Sequence, residues 1–351
     1  MKFKINLPIL KEIQQGFEEN LGNKKVAFGL DIGSSTVKLV KIRCEKERVE
    51  LLDFRCLPTQ MDITPLIREI TTSVGCHKVN ISVSGPGIII RYVQFPKMNK
   101  EDLEQSLHFE AQKHIPFSVD EVFLDSHILK DDLPDNKMLV LLAATKKDFI
   151  LQRLKSVEEA GVTVALIDID SLALINAFNF NYSDIFQEGE MKNKSVALLH
   201  LGAQVTCVNI LENGSPRLTR EIQLGGNQLT QRISESLGLD FKEVEALKST
   251  PEKNQKINGI IEPILTNLAR EVRFSFDYYE SQSASNVSKI FIIGGTAKLK
   301  GIKESLEGLL NIPVEDWDPL RKIILANSIK TEKIKQYVPQ LAVAVGLGLR
   351  G

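Results

Sequence analysis

The sequence lacks the features that mark membrane-spanning, secreted and metal-binding proteins. No apolar run in its 351 residues approaches the roughly 18 residues that cross a bilayer. The stretch from Met1 to Lys25 has no continuous apolar core of the kind found in secretory signals. Its four cysteines form no Cys-x-x-Cys pair and show no metal-ligand spacing. We therefore expect a cytoplasmic protein with reduced thiols.

The chain also lacks an excess of either charge. Its 44 Lys and Arg residues nearly balance its 45 Asp and Glu residues, which leaves a net charge of -1. Such a balance gives no electrostatic sign of binding to nucleic acid or to an anionic membrane. Hydrophobic residues make up 43% of the chain, as in ordinary globular proteins, and the length suffices for two or three domains.

The stretch from Asp31 to Lys38, Asp-Ile-Gly-Ser-Ser-Thr-Val-Lys, is the clearest indication of function. It lies between two apolar runs that both predict strands, so we predict a β-hairpin with this stretch at its tip. Gly33 permits a tight turn whose N–H groups can bind a phosphate. Asp31 can hold a hydrated Mg²⁺, and Lys38 can place a positive charge beside the β- and γ-phosphates. An ordinary hairpin turn without a ligand is compatible with the same residues.

Two later segments repeat elements of this pattern. A second strand–turn–strand, from Val196 to Ile210, aligns His200-Leu-Gly202 with Asp31-Ile-Gly33. A further apolar strand ends in Gly294-Gly295-Thr296, where paired glycines allow a flat ligand such as adenine to approach the backbone. Over most of its length the chain thus resembles the actin/sugar-kinase/Hsp70 superfamily. We predict an α/β chain with the duplicated actin-like/RNase H-like ATPase fold.

The order of predicted strands, helices and turns divides the chain into six segments. They are a leader (1–24), the opening segment of the first actin-like half (25–87), an inserted α+β domain (88–144), the closing segment of the first half (145–194), the second half (195–335) and a C-terminal helix that returns to the core (336–351). In the insert we predict a helix from Lys100 to His114 with Asn99 as its N-cap. In the second half, Gly225 and Gly226 open a helix whose first N–H groups we expect to face a nucleotide.

A closer family resemblance rests on several stretches. They are Val26 to Val40, Arg91 to Met98, Phe109 to Phe117, Leu224 to Gly226, Glu245 to Lys248 and Gln340 to Leu349. These stretches resemble the family of the type IV pilus assembly protein PilM, from about residue 25 to the end. The insert motif is the specific feature, because the phosphate loops are common to the superfamily. The insert, of the SHS2-like type, also resembles that of the cell-division actin homologue FtsA.

The resemblance implies an ATP-binding scaffold of the type IV pilus inner-membrane assembly complex. It implies a cytoplasmic location, peripheral to the inner membrane, with other pilus assembly components as partners and a homo-oligomer as a possible state. A PilN-like membrane protein would dock its cytoplasmic tail on the insert. The implied partner-binding residues are Ile88, Ile89, Ile90, Tyr92, Ile115, Pro116 and Phe117. Each of these residues is also compatible with a place in the core.

The resemblance also implies ATP and Mg²⁺ as cofactors. Asp31 would hold Mg²⁺ through water, and Asp170 would occupy the catalytic position. The implied nucleotide-binding residues are Asp31, Gly33, Ser34, Ser35, Thr36, Lys38, Gly202, Ala203, Gln204, Thr206, Gly225, Gly226, Glu245, Lys248, Gly294, Gly295 and Thr296. Glu245 and Lys248 are equally compatible with a solvated pair on a helix surface.

Two positions depart from the pattern of hydrolytic relatives. His200 replaces the Asp that usually opens the second phosphate loop, and loss of that carboxylate weakens Mg²⁺ positioning and alignment of an attacking water. Asp170 stands where those relatives carry Glu or Gln, and its side chain is shorter. It is equally compatible with a helix N-cap region. These departures favour binding of a nucleotide over its turnover.

Other interpretations stay open at this point. An active ATPase or small-molecule kinase of the same fold would need a substrate-aligning carboxylate, which Asp168 or Asp170 could supply. A filament-forming protein is a third alternative. In the leader, Ile5-Asn-Leu-Pro8 resembles the Ile-Asn-Leu-rich tail that PilM-like proteins bind. The leader could dock on its own or a neighbouring molecule, or the match could be accidental.

Overall fold

A computed structural model describes residues 25–45, 48–187, 191–248 and 254–350, so the predicted leader and its Ile5-Asn-Leu-Pro8 stretch lie outside the described residues. The described chain forms two compact units. Unit 1 comprises the described residues of Met1–Asn181, Leu320–Lys335 and Val343–Gly351. Unit 2 comprises the described residues of Tyr182–Pro319 and Gln336–Ala342.

Strands and helices succeed one another along both units. The strands are β1 (Lys25–Ile32), β2 (Thr36–Glu45), β3 (Arg48–Pro58), β4 (Lys78–Val83), β5 (Ile88–Pro96), β6 (Val122–Leu133), β7 (Lys137–Lys146), β8 (Thr163–Ile169), β9 (Ser195–Leu201), β10 (Thr206–Glu212), β11 (Ser215–Ile222), β12 (Val287–Ile293), β13 (Val314–Asp316) and β14 (Ile324–Leu325). The α-helices are α1 (Ile63–Thr72), α2 (Lys100–Ala111), α3 (Lys147–Glu159), α4 (Asp170–Tyr182), α5 (Asp184–Gln187), α6 (Gly226–Leu237), α7 (Phe241–Lys248), α8 (Asn254–Gln282), α9 (Ile302–Leu310), α10 (Thr331–Lys335) and α11 (Ala342–Gly348).

The main sheet of unit 1 has the strand order β14-β3-β2-β1-β4-β8. β1, β2 and β3 form an antiparallel meander, whereas β4 runs parallel to β1 and β8 runs parallel to β4. On one face, Leu30, Val37 and Leu39 pack against Ile67 of α1 and Ile150 of α3. Because β1, β4 and β8 are parallel, their carboxyl ends meet at one edge of the sheet, where ligands of open α/β sheets bind.

The opposite face of this sheet receives α11. The Asn80 side chain on β4 donates through Nδ2 to the carbonyl oxygen of Leu347 at 2.9 Å. Within the segment 336–351, where we predicted a C-terminal helix, Val338–Gln340 forms a 3-10 turn and the α-helix spans Ala342–Gly348. The α-helix is therefore shorter than the predicted segment.

A separate three-stranded sheet, β5-β7-β6, follows β4 in the chain. Helix α2 covers one face of it, with Leu107 and Ala111 packed on Leu142 and Ala144 of the central strand. The Asn99 side chain caps α2 by accepting from the backbone N–H of Asp102, as predicted. The predicted helix to His114 is too long, because the chain tightens into turns after Ala111 with i to i+3 bonds. This sheet and its helix form the predicted α+β insert.

Unit 2 repeats the strand arrangement of unit 1. Its sheet has the order β11-β10-β9-β12-β13, with an antiparallel meander over β9, β10 and β11 and with β12 parallel to β9. The core packs Leu199 and Val208 of this sheet with Leu229 of α6, Val272 of α8 and Leu306 of α9. Because the two sheets have the same strand arrangement, they confirm the predicted duplication. Among the described residues, no helix is long and apolar enough to cross a bilayer.

Candidate functional site

The first predicted turn holds a buried pair of opposite charges. Asp31 on β1 lies directly opposite Lys38 on β2, and Lys38 Nζ donates to Asp31 Oδ2 at 2.9 Å. The two side chains are only 5% and 10% exposed. Burial of a charged pair in this geometry leaves each charge dependent on the other. The hairpin thus places a carboxylate and an ammonium together at the carboxyl end of β1.

Two backbone N–H groups of this turn have no acceptor within the described chain. Gly33 N–H donates to the Thr36 carbonyl at 3.1 Å, which closes the turn. Ser34 and Ser35 are exposed, and within the described chain their N–H groups donate to no protein acceptor. Two neighbouring free N–H groups in a turn form a concavity suited to an anion. A Cβ on residue 33 would lie 2.7 Å from Lys38 Nζ, so Gly33 leaves that space open.

Thr59, which the sequence analysis missed, braces the same turn. Its N–H donates to the Ser35 carbonyl at 2.9 Å, and its hydroxyl donates to the Gly33 carbonyl at 2.7 Å. Thr59 directly follows β3, and no motif distinguishes it in the sequence. Only the pairing of β2 with β3 brings it to the turn.

Arg153 on α3 is a second residue that the sequence analysis missed. Burial lowers the pKa of its guanidinium, while the nearby carboxylates of Asp170 and Asp31 raise that pKa. Asp170 is the first residue of α4 and is half-buried. The structure therefore brings a cation and two carboxylates to the same edge of the unit 1 sheet.

Asp168, the alternative substrate-aligning carboxylate, is 2% exposed and pairs with Arg350 at 2.7 Å. Burial raises the pKa of Asp168, and the Arg350 guanidinium and the Ile169 N–H partly offset this. Because the Asp168 carboxylate is buried and bound to Arg350, a substrate hydroxyl cannot reach it in this structure. Of the two candidate carboxylates, only Asp170 stays accessible.

The second turn has the same backbone geometry with different side chains. Gly202 N–H donates to the Val205 carbonyl at 3.0 Å, as Gly33 does in the first turn. His200 lies opposite Cys207, at the positions that Asp31 and Lys38 occupy in unit 1. Thr206 is buried, and its hydroxyl donates to the Leu224 carbonyl at 2.8 Å. This hydroxyl is thus engaged with the loop before α6.

The backbone carbonyl groups of the second turn accept hydrogen bonds from two other predicted segments, the start of α6 and the stretch that follows β12. The Gly202 carbonyl accepts from Gly226 N–H at 2.9 Å and from the Thr296 hydroxyl at 2.9 Å. The Ala203 carbonyl accepts from Asn227 N–H at 2.7 Å. A Cβ on Gly225 would lie 2.7 Å from both carbonyl oxygens, so the close approach needs glycine there.

These contacts correct one expectation about α6. Its first N–H groups were predicted to face a nucleotide, but those of Gly226 and Asn227 donate to the second turn, and that of Gly225 donates to the Gln228 side chain at 2.9 Å. The physical reason is that the Gly202 and Ala203 carbonyl oxygens lie within hydrogen-bonding distance of the Gly226 and Asn227 N–H groups and already accept from them. The start of α6 therefore fixes the turn.

The later glycine pair ends β12. Gly294 is buried, and its N–H donates to the Pro339 carbonyl at 2.9 Å, whereas Gly295 is exposed. Thr296 follows, half-buried against Gly226. The structure therefore brings Gly202, Ala203, Gly226 and Thr296 together.

Glu245 and Lys248 on α7 form an ion pair at 2.8 Å. The buried Thr230 hydroxyl on α6 lies 2.5 Å from Glu245 Oε1 and 2.9 Å from Lys248 Nζ. This hydroxyl attaches α7 to α6 and was not singled out from the sequence, where an interior helical threonine gives no signal. Lys248 is largely buried, whereas half of the Glu245 side chain is exposed.

The predicted partner-binding residues occupy different environments. Ile90 and Ile115 are buried, and Ile88 packs with the core of the unit 1 main sheet. Of the others, Pro116 is exposed, and the half-buried ones are Ile89, Tyr92 and Phe117. The Phe117 ring lies 4.6 Å from Lys146 Nζ, a cation–π contact.

Comparisons with known proteins agree with this architecture. A family model described as "Type IV pilus assembly protein PilM" matches residues 29–351. A solved "PilM-PilN type IV pilus biogenesis complex" is similar with a TM-score of 0.81 and 25% identity, over 92% of this chain and 98% of that chain.

Two other proteins are similar to this chain at lower identity. The ethanolamine utilization protein EutJ from Carboxydothermus hydrogenoformans has a TM-score of 0.55 and 15% identity, over 95% of this chain and 92% of that chain. Cell division protein FtsA of Bacillus subtilis (strain 168) is 21% identical over 332 residues, which cover 84% of this chain and 68% of that protein. The duplicated sheets and these likenesses confirm the actin-like fold, and because the family model matches nearly the whole length, the chain belongs to the PilM family of type IV pilus assembly proteins.

Proposed function

We propose that this chain is an ATP-binding scaffold of the type IV pilus inner-membrane assembly complex, cytoplasmic and peripheral to the membrane, which binds the cytoplasmic tail of a PilN-like membrane protein. The observation that carries the proposed nucleotide binding is the first turn. It combines the buried Asp31–Lys38 pair with the exposed residues Ser34 and Ser35, whose N–H groups donate to no acceptor within the described chain. A carboxylate, an ammonium and free N–H groups are what a metal-bound phosphate requires.

The unit 1 residues fit Mg²⁺ and phosphate in their chemistry. Asp31 would hold the ion through water, and Lys38, Thr36 and the Ser34–Ser35 backbone would hold phosphate oxygens. Gly33 keeps the approach to Lys38 Nζ free of side-chain atoms. When bound, Mg²⁺ neutralises phosphate charge.

Unit 2, taken by itself, carries the other residues that we propose to bind nucleotide. Ala203 and the exposed Gln204 would hold phosphate, and Gly295, Thr296, Glu245 and Lys248 would border the nucleoside. The contacts of Gly202, Gly225, Gly226 and Gly294 support a positioning role for these glycines, and the buried Thr206 hydroxyl supports the same role.

The same geometry favours binding over turnover. In the second turn, His200 and Cys207 replace a carboxylate and an ammonium, so that turn offers no second carboxylate for Mg²⁺ or water. One observation favours an active ATPase as a second candidate: Arg153 lies near Asp170 and Asp31, and a guanidinium there could stabilise transferred phosphate. We propose at most weak turnover, with Asp170 as the catalytic residue.

The proposed partner binding rests on the insert, residues 88–144. The similar solved structure is a PilM–PilN complex. On this chain the exposed Pro116 and the half-buried Ile89, Tyr92 and Phe117 would contact the tail. The buried Ile90 and Ile115, together with Ile88, would support them from the core.

Binding and turnover are measured together to test the proposed nucleotide binding. Mg-ATP binding is followed by calorimetry, and phosphate release is followed for the wild type beside Lys38→Ala. We expect binding by the wild type, loss of binding in the variant, and phosphate release that does not exceed the variant's background. Steady release abolished by Lys38→Ala would replace the scaffold with a working ATPase, and absence of binding would refute the proposed nucleotide site.

The proposed partner binding is tested with a synthetic peptide of a PilN-type cytoplasmic tail. Phe117→Ala should weaken binding about tenfold, because a half-buried aromatic is a typical interface anchor. Phe109→Ala is the matched control, since Phe109 is exposed on α2 of the same insert. Equal affinities of wild type and Phe117→Ala would contradict the proposed surface.

A further inference from the structure

A row of buried polar side chains crosses the main sheet of unit 1 near the carboxyl ends of its strands. Lys38 lies opposite Asp31 in the β1–β2 register, and Ser82 lies opposite Asp168 in the β4–β8 register. The β1–β4 register pairs Leu30 with Ile81, so its continuation by one residue places Asp31 beside Ser82. Paired residues on neighbouring strands project to the same face. The row therefore runs from the phosphate-binding turn to the end of β8.

Arg350, which follows α11, closes this row. Its Nε and Nη2 atoms lie 2.9 and 2.7 Å from Asp168 Oδ2, and the two side chains are 4% and 2% exposed. With the Asn176 amide turned so that its oxygen faces the guanidinium, that oxygen accepts from Nε at 2.6 Å and from Nη2 at 2.7 Å. One guanidinium thus connects β8 and α4.

Several polar atoms around this pair are unsatisfied. Ser82 Oγ, Ser171 Oγ and Arg350 Nη1 are buried and have no hydrogen-bond partner within the described chain. Such groups are uncommon and mark places where a structure holds strain or can rearrange. Arg350 Nε and Nη2 thus contact Asp168, while Nη1 has no partner within the described chain.

We propose that Arg350 is a positioning residue for the nucleotide site: it holds Asp168 at the end of β8 and so fixes both the row that leads to Asp31 and the first turn of α4 that carries Asp170. The inference rests on the proposed nucleotide binding. Of the charged and titratable groups nearby, Asp170 on α4 interacts with Asp168 and His127 on β6 interacts with Arg350, while Lys100 on α2 interacts with His127. The Arg153 guanidinium on α3 interacts electrostatically with the carboxylates of Asp170 and Asp31.

Removing one partner of a buried ion pair leaves the other charge without compensation, and the surrounding structure shifts to reach solvent or a proton. Here the shift would reach Asp170, two residues from Asp168, and Asp31, two strands away across the sheet. Removing both charges together leaves no such driving force.

The test compares Arg350→Gln, Asp168→Asn and the double variant. Affinity for Mg-ATP is measured by calorimetry at a temperature at which circular dichroism shows each variant folded. Each single variant should bind about tenfold more weakly, the size of a moderate coupling between sites. The double variant, which pairs two neutral amides, should recover to within about threefold of the wild type. A merely structural role would lower melting temperatures without this recovery of affinity.

The control is Lys335→Gln, because Lys335 forms an exposed pair with Glu332 on α10. It should bind Mg-ATP as the wild type does. Wild-type affinity of Arg350→Gln, or a double variant no better than the single ones, would overturn the proposal.

Hydrogen exchange of the unliganded proteins separates this proposal from the proposed function. If the wild type itself fails to bind Mg-ATP, nucleotide binding is refuted and exchange decides the role of Arg350. We expect faster exchange in Arg350→Gln over residues 167–171 and 31–35, reversed in the double variant. Faster exchange confined to the residues next to Arg350 would overturn the positioning role.

Discussion

The first turn, in unit 1, and the second turn, in unit 2, have the same backbone geometry but are stabilised by different side chains. In unit 1, Gly33 closes the turn, and the buried Asp31–Lys38 pair lies beside it. In unit 2, Gly202 closes an equivalent turn, but His200 and Cys207 occupy the paired positions. Duplication conserved the strand order and the turn, while the chemistry diverged.

The two turns are held by different neighbours. The carbonyl groups of the second turn accept from the start of α6 and from Thr296, whereas the Gly33 and Ser35 carbonyls of the first turn accept from Thr59. The first turn also lies beside the buried charged pair of Asp31 and Lys38. We therefore expect charge changes to matter most in unit 1 and steric changes to matter most in unit 2.

The largest expected effect comes from Lys38→Ala. It leaves the buried Asp31 carboxylate without its partner and should lower the free energy of unfolding by about 3 kcal/mol. Cys207→Ala, at the equivalent position of unit 2, should cost only about 1 kcal/mol. Urea denaturation of both variants provides the measurement. Equal losses of unfolding free energy in the two variants would contradict the proposed difference between the turns.

Gly225→Ala tests the steric half of the comparison. Its new Cβ would meet two backbone carbonyl oxygens at 2.7 Å, which cannot move away as a flexible side chain could, and the expected loss is about 2 kcal/mol. Gly308→Ala is the control, because a Cβ there meets nothing within 4 Å and alanine favours the helix. Thermal melts should move in opposite directions, and a shared direction would contradict the packing argument.

Thr230→Val tests whether the Thr230 hydroxyl holds α7 against α6 in unit 2. It removes the hydroxyl that attaches the Glu245–Lys248 pair to α6, and the expected loss of unfolding free energy is about 1.5 kcal/mol. Hydrogen exchange should rise in α7. Thr266→Val, at an exposed site on α8, should leave both quantities unaltered. Unaltered exchange in α7 of Thr230→Val would show that other contacts hold this helix.

The smallest expected effect is a pH dependence in unit 1. Burial lowers the pKa of His127 from 6.5 to about 4, and the charges of Arg350 and Lys100 contribute. The unfolded chain therefore takes up this proton first, so stability falls as the pH falls from about 6.5 towards 4. With allowance for partial exposure, the loss at pH 5 should be about 1 kcal/mol.

Hydrogen exchange of the wild type and His127→Gln at pH 7 and pH 5 separates this contribution from others. The variant should lose less stability in unit 1 on acidification, while peptides of unit 2 serve as an internal control. An identical response of the two proteins would show that His127 does not couple folding to pH.

Much of the site was predictable from local sequence. Asp31, Gly33 and Lys38 are adjacent in a hairpin, so the period-two pattern of the flanking strands suffices to place them together. Asn99 was predictable as a cap because its bond to Asp102 is local. By contrast, Thr59, Arg153 and Thr230 reach their partners through other elements, and no local spacing reveals them.

The sequence by itself determined the two hairpins, the insert and the glycines at strand ends, because strand periodicity and turn chemistry act over a few residues. Only the tertiary structure decided that the α6 N–H groups bind the second turn, that Asp168 is enclosed, and that Arg350 lies against it. Asp168 and Arg350 are far apart in the chain, and their contact depends on the packing of α11 against the unit 1 sheet. Contacts of that kind form when the whole core closes, so they leave no periodic trace in the sequence.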